Sequence, residues 1–317
     1  MTDTATTEGR TCPLHYRYRP GQLCSQPETC DHDVLYVIGG LYGNPFALDE
    51  VERMAAAEQA IGRRVKLLFN GDFNWFNADD ELFQVINRRV LDHDAMLGNV
   101  EYELAHPSDG AGCGCAYPES VDNAVVERSN RIMLRLQAVA AGHPEIQRRL
   151  ASLARWRCLM FGGLKVLALH GDPESLAGWG LSQESFRAGN QAQVAEWFRQ
   201  TDADVMVCSH TCLPLIWSGN VAGRPRWVLN NGAAGMANLA GDYRGLITRL
   251  AWSGPPEDCV ASLSGGAMSL ALVPVAYDQS AWLERFDQLW PAHSDAAISY
   301  RERILAGADL SPSGLCF

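Results

Sequence analysis

Three things are scarce in this chain, and each scarcity removes a class of function. No apolar run approaches the roughly 20 residues that a membrane-crossing helix needs, so no membrane span is expected. Positive charge is in deficit: 26 Lys and Arg stand against 37 Asp and Glu, a formal net charge of −11. Generic nucleic-acid binding needs a basic face to neutralise phosphates, and this balance argues against it. An anionic substrate would then require a local cation, for which a bound metal is the simplest source. The start, Met1 to Arg10, is Thr-rich with Asp3 and Glu8. It lacks the basic beginning and apolar centre of a secretion signal, so a cytoplasmic location is expected.

What is present is ordinary for a globular protein: 317 residues, 47 % hydrophobic and 20 % charged. The 10 cysteines are many for a cytoplasmic chain. Without a signal peptide they read as small buried residues, metal ligands or reactive thiols before disulfides. Cys158, Cys208 and Cys259 sit in or beside apolar stretches and read as packing. Cys12, Cys24, Cys30, Cys113 and Cys115 lie in loop-like, Gly- and Pro-rich surroundings. For Cys113-Gly114-Cys115 three readings stand: incidental thiols on a flexible loop, a structural zinc site completed by two of Cys12, Cys24 and Cys30, with Cys24 and Cys30 the leading pair, or a regulatory disulfide. The Cys-x-Cys spacing is tighter than the usual Cys-x₂-Cys of zinc loops.

Residues 1–32, broken by Pro13, Pro20-Gly21 and Pro27, are expected to form an irregular arm on a single domain spanning 33–317. Val34 to Ile38 reads as the first strand, followed by Gly39-Gly40 and a helix over about 47–61. Val65 to Phe69 reads as a buried strand that breaks at Asn70-Gly71-Asp72, which completes a βαβ unit. A helix over about 81–91 precedes a short apolar run ending in the polar turn Gly98-Asn99. A helix over 121–141 stops at Gly142-His143-Pro144. Strands 164–169 and 205–208 end in His170-Gly171-Asp172 and Ser209-His210-Thr211-Cys212, with a helix over 191–200 between them. Trp227 to Leu229 ends in Asn230-Asn231-Gly232. Strands over about 246–252 and 268–276, then a helix over 280–289, close an α/β fold.

Asp72, Asn99, His170 and His210 thus all stand at strand ends, where open α/β sheets bind ligands. A lone Gly-Asp is most often an Asx turn, and a lone strand-end His most often structural. Four such residues together make an oxygen and nitrogen shell suited to Mn, Fe, Zn, Ni or Co.

The order of these residues resembles the calcineurin-like metallophosphoesterases, whose motifs run D-x-H, G-D-x-x-D, G-N-H-[DE], H and G-H-x-H. The matching residues are Gly71-Asp72, Gly98-Asn99, His170-Gly171 and Ser209-His210-Thr211. Tyr42-Gly43-Asn44-Pro45-Phe46-Ala47-Leu48 resembles the H-G-N-x-x-A-L of the family's small bacterial branch, and Asn231 to Met236 its N-P-G-S-V-G turn. The likeness spans about 34–276. It implies a four-layer α/β/β/α sandwich of two mixed sheets. It also implies a metal-dependent hydrolase of small phosphomonoesters or phosphodiesters, with water activated by the metal as nucleophile.

In the family, one metal is held by the first-motif pair, the shared Asp and the last His. The other is held by the shared Asp, the Asn and two His. The resemblance therefore implies one complete site, Asp72, Asn99, His170 and His210, with Asp72, Asn99 and His210 also catalytic. The first site departs: Gly40 and Tyr42 stand for its Asp and His, and Cys212 for its last His. Trp75 replaces the second Asp of G-D-x-x-D, and Val100 the His that protonates the leaving group. One tightly held ion per chain is the expectation, two if Cys212 and Tyr42 rebuild the first site. Cys212, Tyr42, Asn44 and Glu101 are candidate extra ligands or substrate contacts, and His93, Glu101 or Tyr42 candidate acids. The competing reading is a catalytically weak protein that binds a metal or nucleotide as a sensor or assembly part, with homo-oligomerisation open.

Overall fold

The computed structural model describes residues 8–317; the Thr-rich start used above for location, 1–7, lies outside the described residues. The strands are β1 (Glu28–Cys30), β2 (Val34–Ile38), β3 (Val65–Asn70), β4 (Asp94–Met96), β5 (Trp156–Phe161), β6 (Leu164–Leu169), β7 (Val205–Cys208), β8 (Pro214–Val221), β9 (Arg224–Asn231), β10 (Gly245–Ala251), β11 (Ala261–Gly265) and β12 (Met268–Val275). The α-helices are α1 (Pro45–Ala60), α2 (Asp80–Val90), α3 (Asn99–Ala105), α4 (Asn123–Ala141), α5 (Pro144–Ala151), α6 (Gln183–Arg187), α7 (Gln191–Thr201), α8 (Gln279–Leu289) and α9 (Asp295–Ala306).

The strands form two six-stranded mixed sheets, ordered β1-β5-β6-β7-β9-β8 and β11-β12-β10-β2-β3-β4. Period-two alternation of side chains explains how they stack. Leu35 and Val37 of β2 and Leu68 of β3 point inward, where they meet Val166, Ala168, Val205 and Val207 of the other sheet. Val34, Tyr36 and Ile38 point outward against α1, α2, α4 and α8. Leu167, Leu169 and Met206 point to the opposite outside, under α6 and α7. The inner parts of these central strands are therefore apolar on both faces, and Lys66 and Lys165 fall only at the partly exposed starts of β3 and β6. The result is the four-layer α/β/β/α sandwich that the resemblance implied.

Three differences from the sequence expectation have simple causes. The arm is not wholly irregular: its residues 28–30 pair in parallel with β5, so β1 is an edge strand of the first sheet. The polar turn at Asn99 is the start of helix α3, in which Glu101 accepts from the Gly98 amide in a capping arrangement without a Ser or Thr cap. The chain also does not close at α8, because α9 follows and packs on α4. Among the described residues, no helix is long and apolar enough to cross a membrane.

Candidate metal centre

The parallel runs β2-β3-β4 and β6-β7-β9 bring the loops after β3, β4, β6 and β7 together. Close approach of these loops depends on glycine. Gly71 has φ +77°, and a Cβ there would lie 2.4 Å from the Gly98 nitrogen and 2.9 Å from Nδ1 of His170. A Cβ on Gly98 would lie 2.3 Å from Oδ1 of Asp72. Only backbone without a side chain lets the loops touch. Glu101 fastens them from below. Its carboxylate accepts from the amides of Asp72 at 2.6 Å, Asn74 at 3.1 Å and Gly98 at 3.1 Å.

The four expected ligands converge. Asp72, His170 and His210 place ligating atoms within 4.8 Å of one another. Nε2 of His170 lies 3.3 Å from Oδ2 of Asp72, 3.1 Å from Oδ1 of Asn99 and 3.2 Å from Nδ1 of His210. The other polar atom of each side chain is held by backbone. Nδ1 of His170 donates to the Asn70 carbonyl at 2.9 Å, Nδ2 of Asn99 to the Cys113 carbonyl at 2.9 Å, and Nε2 of His210 to the Cys115 carbonyl at 3.0 Å. Oδ1 of Asp72 accepts from the Val100 amide at 3.3 Å. Outer anchoring of this kind fixes the tautomer and ring orientation of a ligating imidazole. Two imidazoles, a carboxylate and an amide oxygen, all buried, fit a divalent cation of the borderline class.

Electrostatics agree with that fit. Burial works to raise the pKa of Asp72, but His170 beside it outweighs this and holds the carboxyl below its ordinary value. Burial works against the charged form of His170, but Asp72 raises it on balance. His210 is pushed down to about 4 by burial and then by His170. Asp72 thus favours the protonated form of His170 while burial favours the neutral form of His210, and a cation can take the place of the His170 proton.

The remaining expected residues are distributed differently. Tyr42 and Cys212 face each other, Oη to Sγ at 2.6 Å, so each satisfies the other's hydrogen bond. Burial raises both, so neither is an anion on its own. Asn44 is not a ligand: it caps α1, accepting from Phe46 and Ala47, and donates to the Gly235 carbonyl. Glu101 is spent on the three amides described above and does not line the cavity. The structural zinc expectation is overturned. Cys113 and Cys115 are bonded to each other. Cys24 lies in the outer core beneath α7, against Cys158, and Cys30 in the core between the sheets, beside His32. The His93 ring stacks on Phe69, away from the cavity.

Sequence reasoning missed the walls. A cavity of about 60 Å³ above the centre is lined by Tyr42, Trp75, Val100, Tyr117, Trp179 and Tyr300 with Asp72, Asn99, Cys115, His210 and Cys212. That is room for a few water molecules. The aromatic residues come from separate segments, so no local pattern announces them. Among the described residues, no Lys or Arg lines the cavity.

No protein-family model and no curated protein matches this chain. Among solved structures it is similar to a metallophosphoesterase from Sphaerobacter thermophilus, at 17 % identity over 87 % of this chain and 99 % of that one, with a TM-score of 0.53. It is also similar to a hypothetical protein from Pyrococcus horikoshii, at 14 % identity over 87 % and 99 %, with a TM-score of 0.55. At such identities the likeness is one of fold. The two mixed sheets and their helical outer layers give the chain an α/β sandwich fold like that of these neighbours.

Proposed function

We propose that this chain is a hydrolase of small phosphate esters that works with one divalent cation per chain. The observation that supports this most is the set of four inward-facing donor atoms from Asp72, Asn99, His170 and His210, each with its outer atom anchored. When bound, such a cation supplies a Lewis acid for the ester and lowers the pKa of a water it holds. The four residues hold and orient it. The aromatic walls exclude bulk water, which strengthens every charge interaction inside. Among the described residues no cationic side chain lines the cavity, so anion affinity there rests on the cation.

The leaving-group acid of the family is missing, since Val100 is apolar and buried. A general acid is worth about 10²–10⁴-fold, so turnover is expected to be slow. That same residue, with the small cavity, favours a second reading in which the centre binds a metal and a small anion without turnover. One experiment separates the two. The purified chain is loaded in turn with Mn, Fe, Zn, Ni, Co and Mg and assayed on p-nitrophenyl phosphate and bis(p-nitrophenyl) phosphate. Hydrolysis that disappears in Asp72→Asn supports the enzyme, whereas stoichiometric metal with no hydrolysis under any ion leaves only the binding protein.

A further inference from the structure

The four ligands depend on four backbone anchors, and one short loop supplies two of them. Cys113 offers its carbonyl to Asn99 and Cys115 offers its carbonyl to His210. The Asn99 contact decides which end of the amide faces the cation, and the His210 contact decides which ring nitrogen does. The loop is held tightly for a stretch with three glycines nearby. The Cys113 amide donates to Oδ1 of Asn130 at 3.0 Å, and Trp179 donates to the Cys115 carbonyl at 3.0 Å. Gly114 sits at φ +70° with the Tyr16 hydroxyl only 2.4 Å from where a Cβ would be. What closes the loop covalently is the Cys113–Cys115 disulfide. Cys113 is fully buried, while Cys115 is 8 % exposed and contributes to the cavity wall. Sγ of Cys115 lies 3.7 Å from Nδ2 of Asn99.

We propose that Cys113 and Cys115 form a redox-active pair that exchanges with small dithiols, and that its oxidation state sets the affinity of the adjoining metal centre. In the exchange a thiolate of the dithiol attacks Sγ of Cys115, the sulfur that faces the cavity. The bond between the two protein sulfurs breaks, and Cys113 leaves as a thiolate that takes up a proton. The second thiol of the reductant then attacks its own sulfur in the mixed disulfide and releases Cys115 as a thiol. Two electrons and two protons pass to the protein, and the dithiol becomes a cyclic disulfide. The opened loop no longer fixes its two carbonyls. Asn99 is then free to turn its NH₂ inward and His210 to change tautomer, and either change removes a donor from the cation. Loss of an outer partner of a metal ligand typically costs about 10–100-fold in affinity.

The test reads metal binding, so it stands apart from whether the chain hydrolyses anything. Mn²⁺ is the probe, because a hard cation has little affinity for the other thiols. The full chain, oxidised or reduced with dithiothreitol and desalted without oxygen, is titrated with Mn²⁺ while free ion is followed by its paramagnetic resonance signal. Alkylation and peptide mapping record the state of Cys113 and Cys115 in each sample. Reduction is expected to weaken Mn²⁺ binding about 10–100-fold, and reoxidation to restore it. The C113S/C115S chain should bind as the reduced chain does and ignore dithiol. Equal or tighter binding by a chain whose pair is mapped as open overturns the proposal, as does finding two free thiols in the untreated protein. If the double variant does not fold, the two states of the unmodified chain still decide.

Discussion

Tyr42 and Cys212 pair beside the cluster of Asp72, Asn99, His170 and His210; Tyr42 hangs from the loop after β2, and Cys212 from the loop after β7 that also carries His210. The backbone is much alike on the two sides. Tyr42 has φ 53°, Asp72 φ 53° and Cys212 φ 59°, all in the left-handed region that non-glycine residues seldom occupy. The difference lies in where hydrogen bonds are spent. On the ligand side every outer atom is anchored to backbone, and the inner atoms have only one another. On the other side the two inner atoms, a hydroxyl and a thiol, are paired with each other. A cation arriving there would have to break that bond and remove a proton that burial holds tightly. Backbone shape alone therefore does not make a metal site; unspent donors do.

The strongest break of this contrast is removal of a ligand. His170→Ala or Asp72→Asn should abolish stoichiometric metal, with a loss beyond the about 10–100-fold expected for an outer partner. Metal content by elemental analysis after dialysis is the measurement. Retention of one ion per chain in His170→Ala would mean that the cation sits elsewhere.

Acidity should act on the ligand side in a definite direction. His170 is raised above the ordinary 6.5 because Asp72 overcomes the effect of burial. The cation displaces that proton, so affinity is full above the His170 pKa and falls about tenfold per pH unit below it. The decline should therefore begin above pH 6.5, earlier than a free imidazole would give. His210, pushed down to about 4, adds a second proton only near that pH. Mn²⁺ titrations from about pH 5 to 8.5 test this, and a flat profile contradicts it.

Glu101→Gln sharpens the comparison from beneath. One carboxylate oxygen accepts from the Asp72 and Gly98 amides, and an NH₂ in either place would leave buried donors facing a donor. A buried donor left unpaired costs about 1–3 kcal/mol, which a denaturation midpoint would report. Metal should be held more weakly, not lost. The smallest effect belongs to the paired side. Tyr42→Phe removes one hydrogen bond and Cys212→Ser alters two, to Tyr42 and to the His210 carbonyl, each worth about 1 kcal/mol, and both variants should leave metal content unchanged. Loss of metal in Cys212→Ser would erase the contrast between the sides.

The ligands were legible because a strand buried on both faces announces its own end. Leu67 to Phe69, Val166 to Leu169 and Val205 to Cys208 are apolar runs, each entered after a Lys or an Asp and followed by polar residues where the sheet stops. Helix α3 was harder, being seven residues long and capped by a residue inside itself. Strand β1 is three residues with two exposed, too short for an alternation to show. Strand β8 opens with Pro and apolar residues but carries Ser218-Gly219-Asn220, which reads as loop, before its last residue, Val221.

The sequence by itself determined which side chains are the candidate ligands, since strand ends and donor types are local properties of the chain. It also determined that Gly40, Tyr42, Val100 and Cys212 cannot repeat the chemistry of a two-metal site with a histidine acid. Only the tertiary structure decided that Tyr42 and Cys212 satisfy each other, that Glu101 and Asn44 serve the backbone, and that five aromatic rings close the cavity. It alone placed the Cys113–Cys115 loop against Asn99 and His210, away from Cys24 and Cys30. The physical reason is that a hydrogen bond or a disulfide is a property of two groups a few ångströms apart. Along the chain those groups are separated by whole strands and helices, and no period in the sequence records which of them will meet.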